Sequence, residues 1–271
     1  MSRVFFAAEL DTAASWWRIY RTDGVALAFS THDRDLWFDG ILHRAAPGLL
    51  PSAIRRTSDL TDDEAEVRGA LSHDTITEGD IRSGRFDNAR IQMGIVDWQT
   101  LERHLLYTGT IAALSQDGGG FSAHLRSAKA DLDVDTVPRT SPACRARFCG
   151  PGCTLSSSRY TRRFEISGAD QENGTVTVSN GSVDLYLNGE LRWIDGPHAG
   201  QTMHILNIHG GRLVLDRTLV PGVRSGMRIL LREGCDKTIE TCASRFANAA
   251  NFQGEPHLPG NDLLAQYPQP R

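Results

Sequence analysis

The chain has 271 residues, 40% of them hydrophobic and 23% charged, which is ordinary for a globular protein and enough for one large or two modest domains. Its formal net charge of −4 argues against a surface that simply traps polyanions, and no run approaches the ~18 apolar residues a membrane-spanning helix needs. Twenty-six glycines, many in Asp-Gly, Asn-Gly and Gly-Gly pairs, favour β-structure over helix bundles.

In chain order, Val4, Phe5, Ala8 and Leu10 recur at helical spacing and suggest an opening helix. The stretch Met1–Leu10 is too short for a secretory core and leads straight into Asp11, so folding in a bacterial cytoplasm is expected. WWRIY (16–20) and VALAF (25–29) then read as one strand pair around Asp23-Gly24, and DLWF (35–38) and ILHRA (41–45) as another around Asp39-Gly40. Residues 57–80 hold eight acids and one arginine, with a strand around Glu66–Leu71 and a short helix starting at Thr77. Strands are expected over 89–98, 105–114 and 120–128, with a turn at Gly118–Gly120. The polar, proline-bearing stretch 131–143 makes the best domain boundary.

Beyond it, FEIS, TVTVS, VDLYL, ELRWI, TMHIL, RLVLD and MRILL read as strands, with Asn188-Gly189 and Gly210-Gly211 at hairpin turns. Residues 237–251 read as a helix and 251–264 as a loop. The fold class is therefore mainly β with a minor α+β part. It comprises two β-barrel or sandwich-like domains, an N-terminal helix and a C-terminal helix-loop segment. The expected units are a tube-like β domain (1–135), a second β domain (136–234) and a tail (235–271) tied to it by cysteines.

Those cysteines are five, an odd number that argues against a pure disulfide framework, and they fall into two groups. Cys144, Cys149 and Cys153 lie within ten residues, and Cys235 and Cys242 follow far downstream. Scattered cysteines would read as small buried hydrophobes; two sharp groups at domain borders point to metal. Structural zinc sites usually draw ligands two to four residues apart, whereas Cys235 and Cys242 would stand ~10 Å apart if both lay inside the helix, and closer to a shared cluster if Cys235 sits just before its start. A cluster several ångström wide bridges that gap more easily than one ion, so the spacing favours iron–sulfur and keeps zinc as the alternative. Arg145, Arg147, Arg159, Arg162 and Arg163, with no acid between 144 and 163, could offset thiolate charge or line an interface.

The segments DGVALAFSTHDRDLWFDG (23–40), VRGALSHDTITEGDIRSGRFDNARIQMGIVDW (67–98) and LLYTGTIAAL (105–114) resemble a family of phage tail proteins. So do CRARFCGPGCTL (144–155), LRWIDGPHAGQTM (191–203) and GCDKTIETCASRFANAANFQGEPHLPGNDLL (234–264). The family includes the hub protein of gene transfer agents and is similar to the tail-tip protein of lambda-type phages. The resemblance implies a structural, non-enzymatic virion component at the tail tip. It further implies a homotrimeric ring joining the distal tail protein ring to the central tail-tip fibre protein, with the tape measure protein as a further neighbour. Its C-x8-C and C-x6-C pattern falls on Cys144, Cys153, Cys235 and Cys242, implying an iron–sulfur cluster of the 4Fe–4S kind on these four. Cys149 departs from the pattern and is the alternative to Cys144.

The rest of the chain offers little chemistry. His32-Asp33-Arg34-Asp35 reads as a turn, and His198, His204 and His209 as structural histidines. No nucleophile elbow, Walker loop or HExxH is present, so no catalytic or nucleic-acid-binding residue is assigned. The competing reading is a metal- or redox-dependent enzyme of the tail tip using the same cysteines.

Overall fold

The structure is a computed structural model; it describes residues 11–46, 50–51, 65–70, 76–117, 120–132 and 137–257. The expected opening helix at 4–10, most of the acidic stretch and the tip of the Gly118–Gly120 turn lie outside them. The chain divides into two compact units, Met1–Asp135 and Thr136–Arg271. It is mainly β, and among the described residues no helix is long and apolar enough to cross a membrane.

The first unit is one nine-stranded sheet. Its strands are β1 (Ala13–Tyr20), β2 (Ala26–Ser30), β3 (Leu36–Phe38), β4 (Ile41–Ala45), β5 (Leu50–Pro51), β6 (Ala65–Ala70), β7 (Arg90–Asp97), β8 (Arg103–Asp117) and β9 (Gly120–Ser127), in the order β3-β4-β2-β1-β7-β8-β9-β6-β5. A two-residue period sends the adjacent Trp16 and Trp17 of β1 to opposite faces. Trp17 joins Phe29, Ile91, Met93, Tyr107 and Ile111 in the larger core, while Trp16 packs with Leu36, Phe38 and Val96 on the other side. The helix α1 (Glu78–Arg82) begins where the sequence expects it, because the Thr77 side chain caps it by accepting the Asp80 N–H. Asp39 and Gly40 both take positive φ (54° and 72°), as the two-residue turn joining β3 to β4 requires.

That turn carries a polar network into the smaller core. Arg18 is buried under the rings of Trp16 and Phe38, donates from Nε to His43 Nε2 at 3.0 Å, and pairs with Asp39 at 2.7 Å. His43 is fully buried and stacks on Phe38 with centroids 3.7 Å apart. Burial, then the Arg18 charge, lowers its pKa to about 4, so the ring is neutral and accepts the arginine hydrogen bond.

The second unit is a closed six-stranded barrel of β10 (Thr161–Asp170), β11 (Thr175–Val178), β12 (Glu190–Trp193), β13 (Thr202–His209), β14 (Arg212–Leu215) and β15 (Arg228–Arg232), ordered β10-β11-β14-β13-β12-β15. Alternate residues point inward, so Ile166, Val176, Leu191, Trp193, Met203, Ile205, Leu213, Ile229 and Leu231 fill it. Closure removes the open sheet edges that would otherwise invite aggregation.

Two expected elements differ. VDLYL is a 3-10 turn over Asp184–Tyr186 rather than a strand. Its alternating apolar residues imitate a strand, but the Tyr186 N–H bonds to the Val183 carbonyl and turns both residues into the core, leaving Leu185 and Leu187 outside. Asn188-Gly189 therefore follows a 3-10 turn and is no hairpin. The C-terminal helix, α2, spans only Ile239–Ser244: Thr238 caps its start, and soon after its end Ala247 turns left-handed (φ 49°) and Asn248 N–H bonds back to the Cys242 carbonyl.

Candidate metal centre

Both cysteine groups lie in the second unit, on irregular segments held to each other by hydrogen bonds. The first runs through two tight turns: Gly150 N–H bonds to Arg147 O, and Cys153 and Thr154 N–H both bond to Gly150 O. Cys149 takes positive φ (57°) at their entrance. The second group straddles the start of α2. Cys235 precedes the cap at Thr238 and Cys242 lies in the helix, so the long separation expected if both lay inside the helix does not arise.

Cross-links between the segments are numerous. Cys144 N–H donates to Lys237 O at 2.9 Å, Arg145 N–H to Gln253 O at 2.9 Å, and the Lys237 ammonium to Ala146 O. Asn248 Nδ2 donates to Cys153 O at 2.7 Å, and Arg145 forks onto Glu255. Packing reinforces this: Phe148 of the first segment, Tyr160 just before β10 and Phe246 just after α2 form an aromatic triangle with centroids 4.8–5.5 Å apart. Two glycines permit the close approach. A Cβ on Gly234 would stand 1.6 Å from Leu187 O, and one on Gly254 would stand 2.7 Å from Ala143 O.

The thiols feel one another. Burial raises the Cys242 pKa, and the charges of Cys144, Cys235 and Cys153 raise it further. Cys235 is raised by burial in the first place, with Cys144 contributing. Burial, then Cys153, pushes Cys149 up to about 11, with Cys235 and Glu190 adding to it and Arg232 opposing. Two sulfurs receive polar hydrogens: Gln253 N–H approaches Cys144 Sγ at 3.4 Å and Asn248 Nδ2 approaches Cys153 Sγ at 3.7 Å. Among the described residues, no three His, Cys, Asp or Glu side chains are drawn together as they would be around a bound ion. The donor set nonetheless suits a soft, thiolate-bound centre: thiols from two segments, mutually repelling as thiolates, with N–H donors on their sulfurs.

Two arginines of the first group, Arg145 and Arg147, are engaged in ion pairs. Arg145 holds Glu255, and Arg147 and Arg232 both hold Glu190 of β12, pinning the first segment to the barrel. Sequence reasoning missed Asn248, Gln253 and Glu190. The first two lie in the distinctive motif after Cys242, but nothing marks an amide as a sulfur's partner until the chain is folded.

The remaining candidates are structural. His32 Nδ1 accepts the Arg34 N–H at 3.0 Å, and Asp35 accepts the Ala45 N–H at 2.8 Å. His198 is buried between Gln201, 2.6 Å from Nδ1, and the Val220 N–H, 3.1 Å from Nε2. His204 and His209 are exposed.

Residues 4–156, more than half the chain, match the family described as baseplate hub protein, N-terminal attachment domain. Residues 184–262 match a family of phage conserved hypothetical proteins. Among solved structures, a chain of the virion of a native gene transfer agent particle is similar, with a TM-score of 0.83 and 29% identity over 98% of this chain and 95% of that one. No curated protein sequence matches. The protein belongs to the baseplate hub family and is a structural component of the tail tip of a phage-type virion.

Proposed function

We propose that this hub protein forms a closed homotrimeric ring, joins the distal tail protein ring to the central tail-tip fibre protein, and contacts the tape measure protein. Its cysteines Cys144, Cys153, Cys235 and Cys242 hold an iron–sulfur cluster, 4Fe–4S, whose role is structural rather than catalytic. The observation that carries the cluster is the Cys144–Lys237 main-chain bond, which joins the two cysteine groups before any metal is considered. The choice of four rests on the C-x8-C and C-x6-C spacing of the family that the chain resembles. Bound there, the cluster supplies a covalent cross-link between the segment entering the barrel and the segment leaving it. Metal–thiolate bonds formed only in the folded chain add directly to its folding free energy. The chain's own groups prepare the site: Asn248 and Gln253 direct N–H groups at sulfur, and Glu255 and Glu190 anchor Arg145 and Arg147, which follow Cys144.

Imaging of intact tail tips tests the ring. The expected result is three copies closed around the channel. A single copy decorating the periphery overturns it.

A further inference from the structure

We propose that Asn180 and Gly181 form a self-modifying site, at which the folded barrel loses ammonia from Asn180 and gains an aspartate or isoaspartate. The chain holds three Asn-Gly pairs, at 173–174, 180–181 and 188–189, all in the second unit. Such a pair is open to this chemistry because glycine has no Cβ to shield its nitrogen or restrict its backbone. The Gly181 main-chain nitrogen, having lost its proton, attacks the side-chain carbonyl carbon of Asn180. A C–N bond forms, the bond to Nδ2 breaks, and Nδ2 leaves as ammonia carrying that proton. Water then opens the cyclic imide at either carbonyl, giving aspartate or isoaspartate, and nothing is oxidised or reduced.

The fold separates the three pairs. Asn188 precedes a glycine whose nitrogen is already committed, since the Gly189 N–H donates to the Tyr186 carbonyl at 2.8 Å. Gly189 is also buried, and a Cβ there would stand 2.2 Å from the Arg232 carbonyl, so the chain has no room to close a ring. Asn173 is held by Asp170. Its Nδ2 donates to Asp170 Oδ2 at 2.8 Å and its main-chain N–H to Asp170 Oδ1 at 3.1 Å. That carboxylate fixes the amide's orientation and opposes the negative charge that builds up as a glycine nitrogen attacks. Gly174 is buried as well, packed so that a Cβ would stand 2.4 Å from the Arg217 carbonyl.

Asn180 and Gly181 differ on each count. Both are exposed, and Gly181 takes a φ of 100°. Among the described residues, neither makes a hydrogen bond. The connection they form is short and anchored at both ends: the Ser179 N–H and hydroxyl both donate to the Glu165 carbonyl, and Val183 is buried in the barrel. Nucleophile and amide therefore both stand open to water and hydroxide. A virion component is made once and is not replaced, so slow chemistry accumulates in it. The product adds one negative charge and, as isoaspartate, one backbone methylene just ahead of the 3-10 turn Asp184–Tyr186.

Incubation of the purified full-length chain at mildly alkaline pH, in buffer and in denaturant, tests this, with peptide mass spectrometry reading the conversion of amide to acid at each asparagine. In buffer, Asn180 should convert first and faster as pH rises. Asn173 and Asn188 should convert at least about tenfold more slowly, the gap that one retained hydrogen bond accounts for. In denaturant the three rates should converge, because the protection of Asn173 and Asn188 comes from the fold. Asn180→Gln, whose longer side chain closes a larger and slower-forming ring, should abolish conversion at this position and leave the other two rates and the far-ultraviolet circular dichroism unchanged. A folded chain in which Asn180 converts no faster than Asn173 or Asn188 overturns the proposal. A ranking that persists in denaturant also overturns it, since the cause would then be local sequence and not the barrel.

Discussion

The N–H of Cys144 and the carbonyl of Lys237 are 2.9 Å apart, which sets the first cysteine group beside the start of α2. Cys235 and Cys242 lie on either side of Lys237, so this single bond brings both groups to one end of the barrel.

The proposed ligand set gives the first prediction. Cys149→Ser should retain full iron and assemble tails, because a thiol beside the cluster behaves as a small half-buried hydrophobe. Cys144→Ser, Cys153→Ser, Cys235→Ser and Cys242→Ser should each lose iron and yield tails without a competent tip. Iron analysis of the five variants checks this. Iron lost in Cys149→Ser and kept in Cys144→Ser would assign the pair to Cys149 and Cys153.

Gly234→Ala tests the close packing around the site. A methyl group 1.6 Å from the Leu187 carbonyl forces backbone to move, at a cost of roughly 3 kcal/mol or more. Thermal unfolding should show a much lower midpoint together with reduced iron. A midpoint within a degree of wild type would contradict the geometry.

Glu190 gives a pH dependence. Burial alone would raise its pKa, but hydrogen bonds from Arg232 and Arg147 outweigh burial and lower it. A carboxylate with a lowered folded pKa contributes stability above its unfolded value of ~4.3 and loses it as pH falls through the folded value. Acid unfolding of wild type should therefore show a stability loss below about pH 4.3 that Glu190→Gln lacks. At neutral pH, Glu190→Gln should cost about 1–3 kcal/mol, since two arginines lose their charged acceptor.

His43 acts in the first unit with the opposite residue type and the same direction. Its folded pKa, about 4, is below the ordinary 6.5, so protonation favours the unfolded state. Stability of this unit is complete above pH 6.5 and declines as pH falls from 6.5 toward about 4. His43→Gln, which keeps an acceptor for Arg18 Nε, should flatten that decline in acid titrations followed by tryptophan fluorescence. An unchanged slope between pH 6.5 and about 4 would contradict a buried, neutral His43.

The fold was legible where period and turn chemistry agreed. WWRIY, ARIQMGIVDW, ELRWI and RLVLD alternate, and Asp39-Gly40 and Gly210-Gly211 supply the turns, so these strands lie where expected. VDLYL alternates equally well and is not a strand, because the barrel takes Val183 and Tyr186 rather than the odd-numbered leucine positions. The C-terminal helix ends early in a left-handed turn at Ala247 closed by Asn248 N–H to Cys242 O, and the Asn248 side chain fastens that turn to Cys153, a partner distant in sequence. At the candidate site the cysteines were visible from type and spacing. Their supporting residues, Asn248, Gln253 and Glu190, were not, since each acts on a partner distant in sequence.

Metal analysis of the wild-type chain, purified without oxygen, tests the central claim most directly. The account predicts a brown protein with broad visible absorbance and iron matched by acid-labile sulfide. Stoichiometric zinc without sulfide would contradict it.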